Sequence, residues 1–308
     1  MEIIKHDINI NFVGRRKLAL IFSLLLIVAG MVSLVAKGGP EYGIDFSGGT
    51  LIQVKFAQPT NAKEIKNALQ DMDLKGLVVQ KFEEASQEFL LRAQETSSEL
   101  EGLGQQIGTH LQKSYGDGAV EIRRVEMVGP QVGKDLRKKG LMAIIFAMVG
   151  VLIYVTIRFE FRFAVGAIVA LVHDVLITLG AFSIFGKEID LPIIAAFLAI
   201  IGYSLNDTII VYDRIRENSG KHSKDEFPAI INASINETMS RTILTSGTTL
   251  LVILALFLFG GGVIHNFAFA MLIGVVVGTY SSIFVASPVL LFWDDFKSRR
   301  QAAAEKAS

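Results

Sequence analysis

Six long apolar runs dominate the distribution of hydrophobic and polar residues along the chain. They fall at residues 18–36, 141–157, 163–185, 191–212, 242–259 and 267–292. A helix needs about 20 mostly apolar residues to cross a bilayer. The first run has no clean small-x-small cleavage site, so we expect an uncleaved anchor rather than a signal peptide. The pattern predicts a polytopic α-helical membrane protein with six transmembrane helices.

The segment between the first two runs, residues 37–140, has the alternation of a water-soluble domain. Strands are predicted at residues 51–56, 77–82, 88–92 and 119–127. A first helix is expected after Thr60 as its N-cap, and a second at residues 97–113. The order βαββαβ is that of a ferredoxin-like α+β fold.

Gly48 and Gly49 precede the first predicted strand and could suggest a phosphate-binding loop. The segment has neither the spacing nor the lysine of a P-loop, and it leads into a strand instead of a helix. We therefore predict a tight turn in which glycine adopts positive φ, with Asp45 as a turn-capping residue.

Lysine and arginine are distributed unevenly around the spans. Fifteen flank them on one side, whereas the two short loops on the other side contain only Lys187. The fifteen are Lys5, Arg15, Arg16, Lys17, Arg158, Arg162, Arg214, Arg216, Lys221, Lys224, Arg241, Lys297, Arg299, Arg300 and Lys306. The positive-inside rule then makes residues 1–17 and 293–308 cytoplasmic and residues 37–140 extracytoplasmic. A basic cluster at 134–139 opposes this orientation, but long translocated domains are largely exempt from the rule.

The predicted cytoplasmic loop, residues 213–241, contains apolar side chains at helical spacing around Pro228. They are Phe227, Ile230, Ile231 and Ile235. This pattern predicts an amphipathic helix lying at the membrane interface.

Composition excludes several classes of function. The 308 residues carry no formal net charge, so a nucleic-acid partner is not expected. The chain has no cysteine, and its five histidines lack metal-ligand spacing. No nucleophile–base pair is evident, so we expect neither an enzyme nor a bound metal or cofactor.

Two acids, Asp174 and Asp207, lie inside the predicted spans. Asp174, next to His173, is about 16 Å into the third span at the helical rise. An ionisable residue within the membrane is costly and is a functional candidate by default. The alternative is that each acid only hydrogen-bonds a neighbouring helix, and the sequence leaves both open.

Asp207 has a polar setting. Tyr203 and Ser204 lie one helical turn before it, and Asn206 is adjacent. Arg241 begins the fifth span at a compatible depth, either as a partner for Asp207 or as an anchor that reaches for the interface. Small residues also repeat every four positions in the last span, which predicts close helix packing. They are Ala270, Gly274, Gly278, Ser282 and Ala286.

Several long strings together resemble one family. They are Tyr42-Gly-Ile-Asp-Phe-Ser-Gly-Gly-Thr50, Val128-Gly-Pro-Gln-Val-Gly133, Gly202-Tyr-Ser-Leu-Asn-Asp-Thr208, Asp213-Arg-Ile-Arg-Glu-Asn218 and Ser240-Arg-Thr-Ile-Leu-Thr-Ser-Gly-Thr-Thr249. They resemble the SecD/SecF family of the resistance–nodulation–division superfamily, and within it the SecF members. The resemblance covers essentially the whole chain in order.

The resemblance implies a role in protein export at the bacterial inner membrane. SecF-type subunits pair with SecD beside the SecYEG channel and a YajC-type accessory subunit, and they use the proton gradient to help preproteins complete translocation. The family's proton-path residues fall on Asp207 and Arg241, and we place Asp174, His173 and Asn206 on the path as secondary members. Two alternatives remain: a proton-coupled exporter of small molecules or lipids, and a structural subunit of the channel.

Overall fold

The computed structural model describes residues 9–82, 87–93, 102–221, 226–260, 262–294 and 296. The helices are α1 (Arg16–Ala36), α2 (Ile44–Ser47), α3 (Ala62–Ala68), α4 (Leu103–Tyr115), α5 (Pro130–Arg158), α6 (Phe161–Ile184), α7 (Leu191–Lys221), α8 (Phe227–Phe259) and α9 (Gly262–Ser281). The strands are β1 (Gly49–Phe56), β2 (Val78–Lys81), β3 (Glu88–Ala93) and β4 (Val120–Val128). Six helices in this part of the chain are long and apolar enough to cross a membrane, as predicted. They are α1, α5, α6, α7, α8 and the helix that contains α9.

The soluble domain has the predicted βαββαβ order. Its antiparallel sheet runs β2-β3-β1-β4, and helices α3 and α4 cover one face. The core comes from alternate positions of the strands, such as Ile52, Val54 and Phe56, because successive strand side chains point to opposite faces. The α+β ferredoxin-like prediction is confirmed.

Two helix boundaries in the soluble domain differ from the prediction. The cap of α3 is Asn61, whose side chain accepts from the Glu64 N–H at 3.0 Å; Thr60, predicted as the cap, instead contacts Glu64 and Tyr115 through its hydroxyl. Asn is as good an N-cap as Thr, so both neighbouring positions suit the role. The second helix begins at Leu103, and the start of its predicted range, 97–101, lies outside the described residues.

The glycine pair before β1 adopts positive φ, as predicted, with 74° at Gly48 and 121° at Gly49. A Cβ on Gly48 would come within 2.9 Å of the Pro130 Cα, so the turn packs directly on the start of α5. Asp45 does not cap its own turn. Its carboxylate accepts from the Leu191 N–H at 2.9 Å and therefore caps α7, a contact between distant segments that local sequence cannot reveal.

Helix α5 extends beyond the predicted second span. It begins at Pro130, so residues 130–140, which the sequence pattern assigns to the soluble domain, form its first three turns. Gly133 permits this arrangement, since a Cβ there would lie 3.0 Å from the Phe46 carbonyl oxygen of α2. The soluble domain and the second span are thus joined by a continuous helix.

The prediction of a separate amphipathic helix in the 213–241 loop is wrong. Phe227 begins α8, which continues without a break into the fifth span, and Pro228 lies in its first turn, where proline is tolerated. Ile230, Ile231 and Ile235 are buried against the end of α7 and the segment before α1. The apolar stripe therefore packs on protein instead of lipid, and periodicity alone cannot distinguish these two partners.

The six membrane helices form an inner and an outer set. In their most apolar stretches, 61% of α6, 44% of α7 and 50% of the helix at Ile264–Asp294 is buried, against 22% of the α1 helix, 11% of α5 and 17% of α8. The small-residue stripe of α9 faces α7, as close packing requires. A Cβ on Gly274 would lie 2.3 Å from Ile200, and one on Gly278 would lie 3.0 Å from Ser204.

The stripe ends in a π-helical turn, Ser282–Ala286, which the sequence pattern did not predict. Such turns add a residue to the helix and often occur at functional sites. Here the Tyr212 hydroxyl donates to the Ala286 carbonyl at 3.2 Å. The turn also follows directly after Tyr280, whose hydroxyl contacts α1, and Ser281, which is buried against α6.

Candidate functional site

Both predicted intramembrane acids are buried in the bundle. Asp174 of α6 is 0% exposed, and Asp207 of α7 is 2% exposed. Buried carboxyl groups must be hydrogen-bonded, paired with charge or protonated, because desolvating an isolated charge is very costly. Asp174 and Asp207 differ in how far their hydrogen bonds meet this requirement.

Asp174 is fully hydrogen-bonded. Its Oδ2 accepts from Ser204 of α7 at 2.6 Å and from Ser281 at 2.8 Å, at the end of α9. Its Oδ1 lies 2.8 Å from Nδ1 of His173. One carboxyl group thus connects three helices of the inner set.

His173 extends this network to the outer helix α1. Its Nε2 lies 3.0 Å from the Ser23 hydroxyl, which lies 3.0 Å from the Tyr280 hydroxyl. Tyr280 in turn donates to the Ala19 carbonyl at 2.6 Å. A continuous hydrogen-bonded chain therefore runs from Asp174 to the backbone of α1.

Asp207 is poorly supplied with donors. Thr242 of α8 donates to its Oδ1 over 3.3 Å, a long hydrogen bond. Its Oδ2 is buried and has no hydrogen-bond partner in the described structure. A buried oxygen without a donor costs free energy, and a proton or an approaching cation would relieve that cost.

The structure does not bring the other predicted residues onto Asp207. Arg241 precedes Thr242 but is exposed, and no ion pair joins it to Asp207 in the described part of the chain. Asn206 is exposed on the outer face of α7. Ser204 donates to Asp174 instead, and Tyr203 donates to Ser246 of α8 at 3.3 Å.

Sequence reasoning missed Ser23, Tyr280 and Ser281 as members of this polar network, and Thr242 as the donor to Asp207. Each is a hydroxyl within or next to an apolar span, which is a weak signal because serine and threonine are common in membrane helices and often bond their own backbone. The rotation of each helix decides which of these hydroxyls face a carboxylate. That rotation depends on packing between helices far apart in sequence.

A second charged cluster lies where the soluble domain meets the loop between α6 and α7. Arg92 of β3 forms an ion pair with Glu188, and the segment at Tyr42 forms a parallel bridge with Ile189. Beside them, burial raises the pKa of Asp190 to about 6, and neighbouring Asp45 adds to the rise. The charges join the domain to the membrane bundle.

The groups gathered at these sites are carboxyl, imidazole and hydroxyl groups, which can bind and transfer protons. No group of three or more histidine, cysteine, aspartate or glutamate side chains suited to a metal occurs among the residues described. Carboxyl, imidazole and hydroxyl groups in contact within a membrane are the usual components of proton relays.

Comparisons with known proteins identify the family. Residues 107–295 match the family described as "Protein export membrane protein SecD/SecF, C-terminal", and residues 32–60 match the "SecD/SecF GG Motif". The "Protein translocase subunit SecF" of Magnetococcus marinus is 48% identical, with 100% of this chain and 99% of the relative aligned. That of Vibrio alginolyticus is 46% identical over 94% of this chain and 91% of the relative.

Two solved structures of SecDF are also similar to this chain. The crystal structure of SecDF, described as a translocon-associated membrane protein from Thermus thermophilus, superposes with a TM-score of 0.85 at 37% identity over 95% of this chain. SecDF in its super-membrane-facing form gives a TM-score of 0.71 at 35% identity over 97% of this chain. This chain spans 40% of the length of each SecDF chain.

The relatives are named as subunits of a protein translocase, which is a transport component and not an enzyme. Together with six apolar helices, this makes the protein a multi-pass membrane protein of the transport class. The chain belongs to the SecD/SecF family of protein-export membrane proteins and is similar to its SecF subunits along its full length.

Proposed function

We propose that this protein acts with SecD in the bacterial inner membrane and couples the proton gradient to late steps of preprotein translocation. Both termini lie in the cytoplasm, and the soluble domain faces the outside and meets emerging polypeptide. SecYEG and a YajC-type subunit are the remaining partners. Asp207 is the principal proton carrier, and Arg241 is its alternating partner.

The observation that carries this proposal is the incomplete hydrogen bonding of Asp207. Its buried Oδ2 lacks a donor among the described residues, whereas an acid placed only to connect helices would be expected to have its donors in place, as Asp174 has. In one state a proton binds the Asp207 carboxyl group, and in the other the Arg241 guanidinium donates to Oδ2. An Asp near a cation favours its charged form, and a desolvated Asp without one favours its neutral form.

The place of Arg241 on α8 supports such an exchange. It lies next to Thr242, the residue that already bonds Asp207, so a modest shift or rotation of α8 would carry the guanidinium toward the carboxylate. At a potential of about 150 mV, one proton crossing supplies roughly 3.5 kcal/mol. That free energy biases a two-state movement by roughly a few hundredfold.

The membrane face around this site supports pairing with SecD. Gly202 and Asn206 of α7 and Thr248 of α8 are exposed at positions where lipid would favour apolar side chains. The match to SecDF, in which this chain corresponds to 40% of the length, leaves room for a second helix bundle against that face.

The test is gradient-driven export by vesicles that contain the complete export machinery with an Asp207→Asn variant. Asparagine keeps the shape but cannot carry a proton, so insertion, stability and SecD association should persist while stimulation by the gradient is lost. Asp207→Glu should retain part of the stimulation by the gradient. Arg241→Lys should reduce this stimulation, because lysine lacks the planar fork of the arginine guanidinium.

Asp213→Asn is the matched control. Asp213 lies on the same helix but is half-exposed and pairs with Arg158 and Arg216, and surface pairs contribute little. Normal gradient-dependent export by Asp207→Asn would disprove the carrier role and favour a structural subunit. Gradient-driven release of a small molecule or lipid without any effect on export would favour the exporter.

A further inference from the structure

The chain from His173 to α1 contains more contacts than its hydroxyl groups have protons. Three contacts link His173 Nε2, the Ser23 hydroxyl, the Tyr280 hydroxyl and the Ala19 carbonyl. Each contact between such atoms at 2.6 to 3.0 Å needs one proton between them, since two lone pairs would otherwise face each other. Ser23 and Tyr280 supply only two.

The third proton must come from the imidazole. A carbonyl cannot donate, so Tyr280 gives its proton to Ala19, and Ser23 gives its proton to the Tyr280 oxygen. The Ser23 oxygen is then the acceptor for His173, which must carry a hydrogen on Nε2. The contact between Nδ1 and the Asp174 Oδ1 at 2.8 Å needs a further proton.

The location of that further proton follows from the other side of the carboxyl group. Ser204 donates to the Asp174 Oδ2 at 2.6 Å. The single hydroxyl proton of Ser281 is shared between that oxygen at 2.8 Å and the Gly278 carbonyl at 3.1 Å, and the shorter contact is the one to Asp174. Donors to a carboxylate favour its charged form. The proton therefore lies on Nδ1, and His173 carries hydrogen on both ring nitrogens.

We propose that His173 and Asp174 form a buried imidazolium–carboxylate pair that acts as a second proton-binding site and positions α1 through Ser23 and Tyr280. The proposal rests on the proposed function and extends it, because it assigns a defined role to His173 and Asp174, the secondary members of the predicted proton path. Ser23 and Tyr280 are positioning residues that hold the proton on the imidazole.

Release of one proton from this pair has a definite structural consequence. The imidazolium becomes neutral, so the pair changes from net zero to net minus one, and either the Ser23 or the Asp174 contact loses its proton. Helix α1 ends at Ala36, and the chain continues from there into the soluble domain. When the Ser23 contact is the one that loses its proton, release loosens the helix that leads to the domain.

In the described part of the chain, the hydrogen-bond partners of this pair are uncharged. The groups that face it are Ser23 from α1, Ser204 from α7, and Tyr280 and Ser281 from the last helix. No lysine or arginine hydrogen-bonds or ion-pairs with it within the described ranges, and Asp207 lies three residues after Ser204 on α7.

The experiment is nitrogen NMR of the full chain, labelled with ¹⁵N-histidine and embedded in lipid bilayers. Subtracting the spectrum of the His173→Gln variant identifies the signals of His173 among those of the five histidines. We expect hydrogen on both ring nitrogens of His173, seen as two directly bonded ¹⁵N–¹H resonances. Ser23→Ala removes the acceptor for the Nε2–H, so that proton resonance should move upfield, while the resonance of Nδ1–H, bonded to Asp174, should stay in place.

Ser33→Ala is the matched control, since Ser33 also lies on α1 and contacts α6 through Ser183, at 2.8 Å, away from His173. Hydrogen on only one ring nitrogen of His173 in the unsubstituted protein would overturn the proposal. Equal Nε2–H resonances for Ser23→Ala and Ser33→Ala would do the same. The measurement involves no export, so its failure leaves the result for Asp207→Asn intact, and the reverse also holds.

Discussion

Asp174 and Asp207 have the same side chain at a similar burial but a very different supply of hydrogen-bond donors. Three side chains from three helices bond Asp174, whereas Asp207 has one long hydrogen bond. We therefore expect Asp174→Asn to lower the free energy of unfolding by about 1–3 kcal/mol, because its amide would present a donor to the two serine donors or to the imidazole.

Asp207→Asn should cost much less, since no donor points at its Oδ2 in the described structure. Unfolding of both variants in one detergent, followed by circular dichroism, measures the difference. An equal or larger loss for Asp207→Asn would show that Asp207 is the structural acid.

At the residue scale, the sequence reveals which side chains are unusual but not which ones meet. Asp174 and Asp207 are recognisable because a charge inside an apolar run is costly wherever it lies. Ser23 is inconspicuous for the opposite reason, since a serine in a membrane helix can bond its own backbone at little cost. Its contact with His173 depends on how α1 lies against α6.

The small-residue stripe of α9 gives a prediction at the scale of the element. Leucine in place of Gly278 would push against Ser204, which holds Asp174, because a Cβ there already comes within 3.0 Å. We expect lower protein levels and weaker SecD association for Gly278→Leu. Val276→Leu is the control, since Val276 is 54% exposed on the neighbouring face. The assignment is wrong if both variants behave alike in membrane fractions and co-purification.

Asp190, at the joint between the soluble domain and α7, predicts a pH dependence. Its pKa rises from 3.8 to about 6 in the folded protein, so the native state binds more protons than the unfolded state between these values. The corresponding stability is fully present below about pH 4 and is lost as the pH rises through about 6. Asp190→Asn should remove this dependence and stabilise the protein at pH 7.5 by about 1–3 kcal/mol.

Denaturant unfolding at pH 4.5 and 7.5 measures this effect, with Asp117→Asn in an exposed turn as the control. Asparagine at position 190 keeps an acceptor for the Ile193 N–H, so the cap of α7 survives the change. The same pH dependence in Asp190→Asn as in the unsubstituted protein would rule out this residue as its source.

The elements that the sequence predicts well are those that one local pattern determines. Six apolar runs and the alternation of β1 and β3 identify spans and strands because burial imposes those periods. The start of α5 and the unbroken α8 were missed because the apolar run marks where lipid begins, whereas a helix continues as long as its neighbours support it. Gly133 against α2 and Ile231 against α7 are such neighbours.

At the scale of the whole molecule, three connections join the soluble domain to the bundle. Helix α1 leads into it, α5 leads out of it, and the contacts of Arg92, Tyr42 and Asp45 attach it to the segment between α6 and α7 and to the start of α7. The first two follow from the order of the sequence. The third joins residues about a hundred or more positions apart and required the structure. Movements of the inner helices thus have direct mechanical routes to the domain.

The same contacts constrain the topology. Arg92 touches Glu188, so the soluble domain and the loop between α6 and α7 must lie on one side of the membrane. One span precedes the domain and three precede the loop, so the six-span order satisfies this requirement. By the positive-inside rule, the basic flanks predict that this side faces outward.

Reporter fusions at Gln105 and Lys221 should therefore give opposite signals, with Gln105 outside and Lys221 in the cytoplasm. A third fusion at Lys187 should agree with Gln105, because both positions follow an odd number of spans. A cytoplasmic signal from both Gln105 and Lys221 would contradict the six-span arrangement. Opposite signals of inverted sign would keep the six spans but reverse the orientation, and with it the direction in which Asp207 would carry protons.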